Sequence, residues 1–208
     1  MAAALGFTVF ETALGCCGLV WGERGVAGVQ LPEGKASATR ARLLERFPGA
    51  REGEPPLAIR RARDAISALL RGEPKDLSSV TLDMQRVPAF HQRVYAVARE
   101  VRRGQTVSYG ELAARVGSPG AARAVGQAMR RNPFAIVVPC HRVLAAGGKL
   151  GGFTANGGAS TKLRMLAIEG TELGGGAVRS RKAPKSSTLG FDATAEAPVA
   201  RRRAPNTR

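Results

Sequence analysis

"TVSYGELAARVGSPGAARAVGQAMRRNP", residues 106–133, is the stretch on which the fold turns. Its first half predicts a short helix: Ser108 stands as N-cap with Glu111 three residues on, the two halves of a capping box. Its second half predicts another helix, opened by Ser118-Pro119 and closed by Asn132-Pro133. The tight connection through Val116-Gly117-Ser118-Pro119 makes the pair a helix-turn-helix. The second helix is built of small residues, Ala121, Ala122, Ala124, Gly126 and Ala128, which let its axis lie close to a surface. Arg123 and Arg130 stand out of it as long cations. A packed helix pair with two solvated arginines is the plainer interpretation. A helix reading the major groove would present polar side chains at successive positions, and this one has few. If it meets DNA, shape and backbone contact at the minor groove fit it better.

Downstream, "NPFAIVVPCHRVL", residues 132–144, predicts a buried strand over 134–138, followed by Pro139 and then Cys140, His141 and Arg142. A thiol reacts as its thiolate, and a nearby base or cation promotes that form. On a strand, neighbouring side chains point to opposite faces, so direct Cys–His contact needs a turn after Pro139 or a bridging water. Glu169 is the natural third member, because a carboxylate fixes an imidazole tautomer and strengthens it as a base. From residue types alone, a lone cysteine after Val-Val is usually a small buried hydrophobe, and Glu169 also reads as a solvated helix-end acid. Cys16, Cys17, Cys140, His91 and His141 lack the paired spacing of a zinc site. "LAAGGKLGGFTANGGAS" predicts a glycine-rich loop or hairpin, and "STKLRMLAIEG" a last helix with Leu163, Leu166 and Ala167 inward.

Upstream, "PAFHQRVYAVAREVRRG" carries Phe90, Val94, Val97 and Val101 at helical spacing. A boundary near Gln85–Pro88 separates this helical region from a more β-rich one. Residues 5–31 are short apolar segments between glycines, a meander of hairpins. "SATRARLLERFP" predicts a helix with Leu43, Leu44 and Phe47 on one face. "LAIRRARDAISALLRGE" predicts a second, with Leu57, Ile66, Leu69 and Leu70 apolar, and "LSSVTLDM" reads as β. The expected fold class is α/β (α+β): an α/β domain over residues 1–85, then a mostly helical helix-turn-helix domain of winged-helix-like type over 86–173. From 174 to 208 the composition turns to Ser, Pro, Lys and Arg without periodicity, which predicts a disordered basic tail.

The net charge is +16. The segment 177–208 holds eight Lys and Arg against Asp192 and Glu196, so +10 remains on the first 176 residues. An excess that survives removal of the tail favours a nucleic-acid partner over coding bias alone. No apolar run approaches the roughly 20 residues of a membrane span, and Glu11 interrupts the apolar N-terminal stretch, which reads as strands rather than a signal peptide. Three cysteines, two of them adjacent, make no disulfide framework and point to a reducing cytoplasm.

Taken in order, "VSYGELA", "AARAVGQAMRRNP", "VPCHRV", "GGFTANGG" and "LRMLAIEG" resemble the core of the O(6)-alkylguanine-DNA alkyltransferases, the methylated-DNA–protein-cysteine methyltransferases. The resemblance covers about residues 90–170; residues 1–85 fit the family's ribonuclease-H-like N-terminal domain in outline, and the tail has no counterpart. It implies DNA repair by direct reversal: a monomer without cofactor or metal transfers an alkyl group from O6 of guanine, or O4 of thymine, to one cysteine and is consumed. By this resemblance Cys140 is the acceptor, His141 the base that deprotonates it through a water, and Glu169 the acid orienting the histidine. Asn132 ties the helix-turn-helix to the cysteine segment. Arg123 enters the base stack in place of a flipped nucleotide, with Ala122, Ala124 and Arg130 on the same DNA-facing helix. Tyr109 contacts the flipped base and its 3′ phosphate, and the Val143 backbone reads the guanine amino edge. The sequence departs from the family at "GGFTANGG", longer by about a residue or two, with Phe153 at the aromatic position and Thr154 after it. The alternatives are a non-catalytic lesion binder, which lacks such a cysteine, and a transcriptional regulator, which needs a sequence-reading helix.

Overall fold

The computed structural model describes residues 5–174 and 177–179. Its first three strands, β1 (Gly6–Thr12), β2 (Gly15–Gly22) and β3 (Gly25–Gln30), form the expected antiparallel meander. Helix α1 (Ala36–Arg46) follows, then a short strand β4 (Arg51–Glu52) that pairs parallel with β1, giving the sheet order β3-β2-β1-β4. Helix α2 (Leu57–Leu70) completes this half.

The period-two alternation of β2 sorts its side chains between two layers. Cys17, Leu19 and Trp21 join the large core shared with α2, whereas Val20 packs with Phe7, Leu43 and Ala50 under α1. Helix α1 reaches the sheet because two strand positions carry no side chain: a Cβ on Gly18 would lie 2.5 Å from Leu43 Cδ1, and one on Gly28 2.3 Å from Phe47 Cζ. Leu44 and Leu57, expected inward, are instead exposed, because Leu43 and Ile59 take the inward positions of those helices.

The segment expected as a strand over residues 77–84 makes only an isolated bridge from Leu82 to Val26. That bridge has a purpose. Val26 N–H donates to the Thr81 carbonyl at 2.9 Å, and further along β3 Val29 N–H donates to the Pro133 carbonyl at 2.8 Å. The free edge of β3 is thereby covered by two irregular segments rather than left open.

Helix α3 (Ala89–Arg99) buries Val94, Tyr95 and Ala98. A two-residue strand β5 (Val107–Ser108) leads into α4 (Tyr109–Arg115), whose capping box is present: Glu111 N–H donates to Ser108 Oγ at 3.1 Å, and Ser108 N–H to Glu111 Oε2 at 2.8 Å. The connection turns through Gly117 and Gly120, both at positive φ, into α5 (Ala122–Arg130). β6 (Val143–Leu144) pairs parallel with β5, and α6 (Ala159–Ile168) closes the core with Met165 and Leu166. Ala167, expected inward, is exposed; Lys162 is buried in its stead. The last elements, β7 (Glu172–Gly174) and β8 (Ala177–Arg179), pair antiparallel, so the stretch expected to be unstructured from 174 begins within paired backbone. The remainder of the expected tail, from 180, lies outside the described residues. One buried cluster runs from Cys17 on β2 through α2, α3 and α5 to Met165 on α6.

The glycine dents under α1 carry a stability prediction. Gly28→Val forces the Phe47 ring aside and should lower the unfolding free energy by about 1–3 kcal/mol in urea denaturation. Gly53→Ala, where an added Cβ meets nothing within 4 Å, should change it by less than about 0.5 kcal/mol.

Candidate active site

The run 134–138 is not a strand. Phe134 bridges to Val29, Ala135 bridges to Val138, and Ile136 sits between them at φ 73°. A β-branched residue in the left-handed region is costly and persists only where its surroundings over-determine it. Asn132 supplies that determination: Phe134 N–H donates to its Oδ1 at 2.9 Å, and its Nδ2 donates to the Val138 carbonyl at 2.9 Å. One side chain straddles the turn from the end of α5. The five residues are apolar because the loop dips into the core, with Phe134, Ile136, Val137 and Val138 all buried. The apolar run therefore mimicked a strand while forming a tight, buried loop.

Pro139 leads directly into a 3-10 turn over Cys140–Arg142. The histidine beside the cysteine is fully buried. Its Nε2 lies 2.9 Å from Glu169 Oε1. A carboxylate only accepts, so Nε2 carries the proton and Nδ1 holds the free lone pair. Nδ1 is buried and makes no hydrogen bond among the described residues. Burial holds the imidazole below its ordinary pKa of 6.5, against the pull of Glu169, so it stands neutral.

Glu169, the cap residue of α6, is 3% exposed. It is shared. Arg142 Nε donates to Oε2 at 2.9 Å and Nη2 to Oε1 at 2.7 Å, while Arg142 Nη1 donates to the Val101 carbonyl at 2.6 Å. Burial raises the carboxyl pKa, but His141 and Arg142 outweigh it and bring it down to about 2. A two-pronged guanidinium–carboxylate pair is the geometry that makes a buried acid tolerable.

Burial pushes the Cys140 thiol up, and the Asn132 amide, the Lys162 ammonium and nearby backbone N–H groups pull it back. Lys162 is itself fully buried. Its Nζ donates to the Val143 carbonyl at 2.7 Å and the Leu150 carbonyl at 2.6 Å, and lies 6.0 Å from the Phe153 ring centroid. Burial lowers its pKa to about 8, with Cys140 acting in the opposite direction. The Val143 carbonyl thus has the Lys162 ammonium as a partner.

A cleft of about 470 Å³ opens over Cys140, lined by Tyr109, Gly126, Met129, Arg130, Phe153 and Thr154. Gly126 faces the Tyr109 ring, and a Cβ there would make only ordinary contact, at 4.0 Å from Cδ1. The structure thus brings together Cys140, His141, Glu169, Asn132, Tyr109, Val143, Phe153 and Thr154. Arg123, Ala124 and Arg130 are exposed along α5 and Ala122 is half-buried, outside the buried network. Sequence reading missed Arg142 and Lys162. The spacing Lys162, Met165, Leu166, Glu169 along α6 was the available signal, because it puts both charged residues in the apolar stripe. Among the described residues no group of three or more His, Cys, Asp or Glu could hold a metal ion, and no helix is long and apolar enough to cross a membrane.

Residues 89–171 match the family described as 6-O-methylguanine DNA methyltransferase, DNA binding domain. The methylated-DNA–protein-cysteine methyltransferase of Methanothermobacter thermautotrophicus is 36% identical over 158 residues, 76% of this chain and 81% of the relative. That of Mus musculus is 34% identical over 197 residues, 90% of this chain and 88% of the relative. The crystal structure of Mycobacterium tuberculosis OGT in complex with DNA superposes with a TM-score of 0.64 at 34% identity, covering 79% of this chain and 92% of that one.

The buried pair sets an acid limit on stability. An unfolded chain takes up a proton on His141 below pH 6.5, which the folded state resists, so stability is full above 6.5 and falls below it. Glu169 adds a second loss between its ordinary 4.5 and about 2. Unfolding free energies from urea denaturation across this range should fall in two stages, each by at most about 1.4 kcal/mol per pH unit. Glu169→Gln should abolish the lower stage and cost about 3 kcal/mol at pH 7, because it leaves Arg142 unneutralised.

Proposed function

The chain belongs to the methylated-DNA–protein-cysteine methyltransferases, and on that premise we propose that Cys140 accepts, once and irreversibly, the alkyl group of an O6-alkylguanine or O4-alkylthymine in duplex DNA. The observation that carries this reading is the half-buried Cys140 beside the buried His141–Glu169 pair beneath the Tyr109 cleft, with His141 Nε2 committed to Glu169 and Nδ1 unpaired among the described residues. A neutral imidazole with one free lone pair is a base.

In this account the thiol proton passes to His141 through a solvent molecule, and Glu169 stabilises the imidazolium that forms. The Lys162 ammonium favours the thiolate. The sulfur lone pair forms the S–C bond as the C–O6 bond breaks, and its electrons leave on guanine, which regains its lactam form on protonation. The thioether has no leaving group that would regenerate the thiol, so each molecule acts once. No cofactor enters the balance.

A sulfur half-buried at the base of a cleft cannot meet an atom inside a base stack, so the target base must be extruded at a cost of a few kcal/mol. Arg123, exposed near the start of α5, fills the vacated position and offsets part of that cost. The small residues of α5 allow close approach to the minor groove, with Ala122, Ala124 and Arg130 on the DNA side. Tyr109, Phe153 and Thr154 wall the extruded base and the Val143 backbone meets its edge. The domain division at residues 85–86 and action as a monomer belong to the same reading.

Two outcomes test it. With tritium-labelled methyl on O6 of guanine in a duplex, label should move to protein until one equivalent is consumed, and Cys140→Ala should take up none. Catalytic excess over one equivalent would contradict a single-use acceptor. Arg123→Ala should slow transfer from duplex by about tenfold or more while leaving reaction with the free alkylated base unchanged. Equal losses on both substrates would remove Arg123 from the stack.

A further inference from the structure

Cys140 borders a second cleft besides the one under Tyr109. This one, about 350 Å³, lies between β3, α1 and the Asn132 loop, and its walls include Gln30, Glu33, Arg42, Arg46, Arg131 and Ala135. The two clefts share Met129, Arg130, Phe153 and Thr154, so they meet at the cysteine. The second cleft has a charge excess. Four arginines line it, at positions 42, 46, 130 and 131, against the single acid Glu33. Glu33 accepts from Gln30 Nε2 at 2.9 Å, and the Gln30 Oε1 accepts from Arg46 Nη1 at 2.7 Å, so Arg46 spends its bond on a neutral amide. Arg42 pairs with Glu45 at an exposed site, while Arg130 and Arg131 make no ion pair among the described residues.

Displacement at carbon constrains where an alkyl chain can go. The sulfur approaches the carbon bonded to O6 from the side opposite that oxygen, so the rest of the chain leaves sideways from the reaction axis. With the base in the Tyr109 cleft, the second cleft is the open volume beside the sulfur. We infer that this cleft receives the distal end of long O6-alkyl groups and favours those that end in an anion, a carboxylate above all. The inference rests on the function proposed above and names a substrate class for the same sulfur. In such a reaction the S–C bond forms, the C–O6 bond breaks, guanine departs, and the carboxylate of the resulting thioether stays among Arg46, Arg130 and Arg131.

The test compares three duplexes: O6-methylguanine, O6-(3-carboxypropyl)guanine and its carboxamide isostere. Single-turnover transfer to the full chain should be about three- to fivefold faster for the carboxylate than for the amide, the scale of an exposed ion pair. Arg46→Gln should bring that ratio close to one with methyl transfer unchanged. Arg42→Gln, at an exposed site already paired with Glu45, should reduce it partially. A ratio of one in the unaltered protein, or a ratio that survives both substitutions, overturns the inference. A uniform slowing on all three duplexes would assign these arginines to backbone phosphates and overturn it as well. Absence of methyl transfer by the unaltered protein is a different failure, which removes the parent reading and this one with it.

Discussion

One carboxylate organises the centre of this protein. Glu169 is claimed from two sides, by the His141 imidazole and by both prongs of Arg142, whose third nitrogen reaches the Val101 carbonyl after α3. A buried acid without such partners would be neutral, and a neutral acid would not hold the histidine as a base. The same carboxylate couples distant parts of the chain: the cap of α6, the 3-10 turn bearing the cysteine, and the end of α3. Arg142 is therefore as important to Glu169 as His141 is, since without it the negative charge would rest on a neutral imidazole alone.

Around that centre, two side chains hold the cysteine segment in shape. Asn132 bonds both ends of the loop that contains Ile136 at positive φ, and Lys162 bonds the carbonyls of Val143 and Leu150 across the glycine-rich loop. The loop is also stitched to β3 through Val29 and Pro133. The Cys140 sulfur is thus mounted next to irregular backbone whose geometry is dictated by side-chain bonds and by an edge strand of the other half of the molecule. Such a mount is rigid without being a strand or a helix, and it leaves the thiol at the junction of two clefts.

Much of this was legible in the sequence, for identifiable reasons. Glycine-punctuated hairpins, the Ser108–Glu111 capping box and the helical spacings each follow from local chemistry, and local chemistry prevailed there. Cys140, His141, Glu169 and Asn132 carried a family resemblance and converge in space. The misreadings came where tertiary bonds outrank local pattern. Five apolar residues at 134–138 look alike whether they extend or turn, and only the Asn132 bridge and the Val29 contact decide between them. Residues 77–84 look like a strand but meet β3 at a single bridge. A lysine in a helix reads as solvated until two carbonyls are brought to it from β6 and the glycine-rich loop, as at Lys162.

The central claim is that one of three cysteines is chemically distinct. Cys17 is buried, its thiol pushed up to about 12 by burial, and Cys16 donates to Glu11 Oε1, which also raises it. Only Cys140 has a cation, an amide and a neighbouring base around it. Peptide-resolved mass spectrometry after reaction with a methylated-guanine duplex tests this directly. The account predicts one added methylene on the Cys140 peptide and unmodified Cys16 and Cys17. A methylene on either of those two, or an unmodified Cys140 in a protein that binds the duplex, would contradict it.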